Sequence, residues 1–151
     1  MSPRHAVDAV AADIRDHHIT VDGTGLFTAT RHIGLLCHRT SRMTADAEYQ
    51  LAPNIAGPPP AEILGTTAGH LGQAVAHYTQ ALTPLIALTT TVQHKLDSLD
   101  HHSRLLAHLD DAGRALTAAR TALEAPPPPA APSAPAPAPS APPAPAARRR
   151  T

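Results

Sequence analysis

Tryptophan is absent from these 151 residues, and phenylalanine and tyrosine together supply three side chains. A core must therefore be assembled from Leu, Ile, Val and Ala. Such a core is thin per residue, and small helical bodies of this kind gain stability by association. There is one cysteine, Cys37, so no intramolecular disulfide forms, which excludes a disulfide-stapled secreted domain. No apolar run approaches the roughly 20 residues of a membrane span, and no basic-then-apolar leader opens the chain. The expectation is a cytoplasmic location without a membrane partner. Lysine is nearly missing as well: Lys95 stands against eleven arginines, the codon bias of a GC-rich genome.

Signatures of chemistry are lacking in the same way. No glycine-rich loop is followed by the Lys-Ser or Lys-Thr that a phosphate cradle needs, and no His-Glu-x-x-His occurs. No nucleophile is tied by spacing to a base. These absences predict a chain that is not an enzyme, with no catalytic residue, no cofactor and no metal.

What is present divides sharply. Residues 125–151 hold 11 of the 17 prolines, alternate with alanine, and end in Arg148, Arg149 and Arg150. With neither large apolar side chains nor free amides for a ladder, this tail is expected to be disordered and polyproline-like. All 12 acidic residues precede it, with nine of the 12 basic ones, so a body of charge −3 is joined to a tail of +3. The net charge of zero conceals this.

The body, residues 1–124, reads as all-α: a small helical bundle or hairpin. Ser2-Pro3 is a helix start, since Ser caps orphan amides and Pro lacks one. Val7, Val10 and Ile14 then recur at helical spacing over a first helix of residues 3–18. The stretch Asp22-Gly23-Thr24-Gly25 marks a turn, and a second helix spans 26–51, ended by Pro53. Pro58-Pro59-Pro60 is a stiff connector before a third helix at 61–83. Pro84 removes a backbone bond and is expected to split the helix there, leaving a last helix over 85–124. Such a helix is about 58 Å long at roughly 1.5 Å per residue.

Along this second half Leu71, Val75, Tyr78, Leu82, Leu85, Val92, Leu96 and Leu99 follow four-three spacing, a heptad seam. The register slips near His101-His102-Ser103 and resumes at Leu105, Leu109, Leu116 and Leu123, marking an overwound stretch or a change of partner. Taken together these residues predict an interaction seam for a second copy or another helical protein. On that register His94 and His101 face away from the partner.

Eleven histidines raise the question of metal. His94, His101 and His108 are seven apart, as are His70 and His77, which is about 10.5 Å along a helix and too far to share one ion. Asp13 with His17, and His5 with Asp8, are spaced for local ion pairs. Cys37 lies between His32 and His38 but among Ile33, Leu35 and Leu36, and is expected to be a small buried hydrophobe. Gly65, Gly69 and Gly72 have the spacing of a close helix approach.

The resulting expectation is a non-catalytic helical interaction or assembly protein. Two alternatives stand beside it: a nucleic-acid-associated accessory protein using Arg148, Arg149 and Arg150 as a polyanion contact, and a histidine-dependent metal-binding helical protein.

Overall fold

A computed structural model describes residues 2–52, 57–90 and 95–125, the side chain of Lys95 excepted. The tail from 126 on, with Arg148, Arg149 and Arg150, lies outside the described residues, as do Val92 and His94. Four helices account for nearly all that is described: α1 (Pro3–Asp16), α2 (Gly23–Gln50), α3 (Ala61–Thr90) and α4 (Lys95–Glu124). No strand occurs among the described residues. The all-α reading holds.

The helix starts follow local chemistry. Ser2 Oγ accepts from the His5 amide at 3.3 Å, and Pro3 occupies the first helical position. Asp22 caps α2, its carboxylate accepting from the Gly25 amide at 2.8 Å and from the Thr20 hydroxyl at 2.7 Å. Those two bonds, Thr20 first, hold the Asp22 carboxyl below the usual range. The glycine-rich stretch expected to be a turn is therefore the first turn of α2. Gly25 is required there: a Cβ would lie 1.6 Å from the Thr20 carbonyl oxygen.

Pro84 does not divide the helix. It lies inside α3, which runs six residues further to Thr90, so Leu85 belongs to α3 instead of opening the last helix. The Pro84 ring is fully buried. Its apolar contribution offsets the missing amide bond, which is the physical reason the helix continues. In place of one helix over 85–124, residues 85–90 belong to α3 and α4 begins at Lys95; the two helices have 30 residues each, about 45 Å.

These two helices pack antiparallel. Glu62, Ile63 and Thr66 adjoin Ala122 and Ala125 at one end, and Leu85 meets Leu105 toward the other. Each helix packs against its neighbours in the ring α1–α2–α3–α4–α1. The result is an up-down-up-down four-helix arrangement. Its main core joins Val7 and Val10 of α1, Leu36 and Met43 of α2, Leu64, Leu71 and Tyr78 of α3, and Ala112, Leu116 and Ala119 of α4. A second cluster joins Ala29, Ala81, Leu85 and Leu105. Alanines 29, 74, 81, 112 and 119 are wholly buried, and small side chains at these crossings substitute for the missing aromatics by letting helices approach.

Helix α1 has 14 residues where the others have 28 or 30, so it covers only part of the bundle. It is pinned at its edges by Arg4 to Glu124 at 2.8 Å, Arg120 to Asp8 at 2.6 Å and Arg31 to Asp13 at 2.5 Å. Asp8 therefore pairs with Arg120 and not with His5, whose ring meets Ser2 Oγ at 3.3 Å. His17 does reach Asp13, bonding its carbonyl at 2.8 Å. The glycine spacing at 65, 69 and 72 marks no close approach: a Cβ at any of the three meets nothing within 4 Å.

Candidate functional site

The leucine pattern of the second half serves two purposes, and α4 is where they separate. Leu71, Tyr78, Leu85, Leu105 and Leu116 are buried, and Val75, Leu82, Leu109 and Leu123 pack partly buried beside them. All of these belong to the protein's own core. Leu96 and Leu99 do not: 79% and 59% of their surface is exposed, and Leu106 is 64% exposed.

The helical period explains the split. At about 100° per residue, Leu105, Ala112, Leu116 and Ala119 fall on the side of α4 facing α1 and α3. Leu96, Leu99 and Leu106, three and seven apart, fall within about 80° of one another and are turned about 100° or more from Leu105. Past the register slip at 101–103, Leu105 and Leu116 take the core face while Leu106 stays on the outer one. His101, expected to point outward, is half-buried, and its Nδ1 is enclosed without a hydrogen-bond partner. The reason is that the core register of α4 is set by Leu105, and His101 lies one turn before it.

Other exposed apolar residues are scattered. Phe27 lies on α2 near its start, Leu51 just beyond its end, and Ile86 on α3. Single exposed hydrophobes of this kind are ordinary. Among the described residues, α4 alone carries three exposed leucines at this spacing.

Cys37 is exposed rather than buried, in a shallow groove with Thr40, Ser41, Gly72 and Val75. His32, five residues before it, turns into the core, and His38 is exposed. A broadly open groove of about 920 Å³ lies between α3 and α4 and is lined by Thr66, His70, Asp110, Arg114 and Thr117. Its cation, Arg114, is already held by Asp110 and Asp111, and that pairing raises the guanidinium pKa.

One convergence was not legible in the spacing. His77 of α3 meets His108 and Asp111 of α4, with one ligand-type atom from each lying within 4.8 Å of the others. Histidine repeats within one helix concealed a pairing that forms between two. The antiparallel register of α3 and α4 was the missing information.

No helix among the described residues is long and apolar enough to cross a membrane. No protein-family model matches the chain, and neither a curated protein nor a solved structure proves similar to it.

Proposed function

We propose that this chain is a non-catalytic assembly protein whose α4 pairs with α4 of a second copy, through Leu96, Leu99 and Leu106. The observation that carries the reading is the stripe itself: three leucines, 79%, 59% and 64% exposed, on one outward face of a helix whose other face completes the core.

A second copy suits the patch for two reasons. A stripe of one residue type is its own complement across a two-fold axis. The chain carries no formal net charge to oppose association at neutral pH.

The magnitudes favour a reversible dimer. The exposed surface is about two leucine equivalents per chain, worth ~3–6 kcal/mol for each copy if fully buried. Association costs ~4–15 kcal/mol in lost freedom. A modest affinity follows, one that responds to concentration.

Sedimentation equilibrium across a concentration series tests this. The unaltered chain is expected to show a monomer–dimer equilibrium, and Leu96→Asp with Leu99→Asp to remain monomeric and fully helical by circular dichroism. A monomer at every concentration, or a dimer untouched by the two substitutions, refutes the reading.

A further inference from the structure

We infer that His77, His108 and Asp111 form a binding site for a divalent transition-metal ion, with zinc the ion their chemistry suits best. The site clips α3 to α4, lies apart from the leucine stripe, and does not depend on the assembly reading.

The donor set comes first. His108 and Asp111 are one turn apart, so α4 presents them on one face, and α3 supplies His77 from across the seam. Two imidazoles and one carboxylate are the nitrogen and oxygen donors that zinc takes in three-protein-ligand sites, with a fourth position left to water. Among the described residues this is the one group of three such side chains gathered closely enough for an ion.

Geometry comes second. The three donor atoms lie within 4.8 Å of one another, and His77 Nδ1 is 3.9 Å from Asp111 Oδ2. A tetrahedral zinc with bonds of 2.0–2.2 Å needs donors about 3.4 Å apart. Side-chain rotations of about an ångström close that difference, and the half-buried setting of all three residues permits them.

Two further observations point at a ligand. His77 Nδ1 is shielded from solvent and has no hydrogen-bond partner, and its approach to Asp111 is too long to be one. A buried nitrogen left in this way is costly, and a bound cation would satisfy it. Asp111, for its part, is already oriented: Arg114 holds its Oδ1 and Asp110 together, leaving Oδ2 directed to His77. Outer contacts that fix a carboxylate in this manner support metal sites. The neighbouring guanidinium also offsets negative charge, so the affinity expected is moderate.

The test uses untagged full-length protein and Co²⁺ or Zn²⁺ alone. One equivalent of Co²⁺ is expected to give the visible absorption of a tetrahedral site, and saturating Zn²⁺ to raise the thermal midpoint. Binding linked to the folded state stabilises by RT ln(1 + [L]/Kd), so the rise should grow with the logarithm of zinc concentration. His77→Gln and Asp111→Asn are each expected to weaken binding tenfold or more. Control variants His38→Gln and His102→Gln, at exposed positions, should bind as the parent does. Should a site variant fail to fold, imidazole nitrogen NMR of the unaltered protein decides: zinc should shift two histidine side chains together at one equivalent. Binding that survives His77→Gln, or zinc shifts spread over many histidines, would overturn the site.

Discussion

The His32 ring sits edge-on to Tyr78, centroids 5.5 Å apart and planes at 82°, joining α2 to α3 inside the core. His32 is wholly buried, and neither ring nitrogen has a hydrogen-bond partner. Burial lowers its pKa from the usual 6.5, with Asp13 opposing and Arg31 and His17 adding to the effect. Tyr78, buried beside it, has its phenol pushed up to about 12.

The pH dependence follows in sign. Below pH 6.5 the unfolded chain takes up a proton at His32 before the folded protein does, so stability falls as pH drops through that value. Above it this loss is absent. His32→Phe keeps a ring against Tyr78 and removes two unpaired nitrogens, each a polar burial of ~1–3 kcal/mol. Urea unfolding at pH 7.5 and 5.5 is expected to show the variant more stable at both, with the larger gain at pH 5.5. An equal gain at the two would mean that His32 titrates freely in the fold.

Gly25 and Gly65 should respond oppositely to alanine. At Gly25 the new methyl meets the Thr20 backbone, so α2 must shift and the thermal midpoint should fall sharply. At Gly65 the space is open and the backbone helical, so Gly65→Ala should stabilise by roughly 0.5–1 kcal/mol. Calorimetry of the two variants distinguishes the sites.

Leucines of one sequence pattern should differ as strongly. Leu71→Ala and Leu85→Ala empty fully buried positions and are expected to cost ~2–5 kcal/mol each. Leu96→Ala, at a largely exposed position, should change monomer stability by less than ~0.5 kcal/mol. Denaturant titration at low protein concentration separates folding from association.

Within α1, apolar burial should outweigh the ion pairs. Val7 is wholly buried, and its truncation to alanine is expected to cost more than Asp8→Asn, which removes a half-exposed pair worth ~0–1 kcal/mol. Hydrogen exchange of α1 amides should accelerate more in the valine variant.

Removing residues 126–151 is expected to leave the thermal midpoint nearly unchanged. Among the described residues the core clusters end at Leu123, and a proline–alanine segment has no large apolar side chain to add to them. A fall of many degrees would show that the tail docks on the body.

Helix type and the helix starts at Pro3 and Ala61 are local matters, and the sequence alone determined them. Ser2 and Pro3 start α1 because a hydroxyl and a missing amide act within one turn, and the spacing of Val7, Val10, Leu71 and Leu116 marks faces that must be covered. Which partner covers each face is not local. The tertiary structure decided that Pro84 stays inside α3, because its ring is buried there. It also decided that Leu85 meets Leu105 within one chain while Leu96 and Leu99 face outward, because the packing of α3 on α4 sets the register of both. The same antiparallel register brought His77 to His108 and Asp111. Spacing along a helix names the residues on one face; only the docking of two faces says which side chains from distant turns converge.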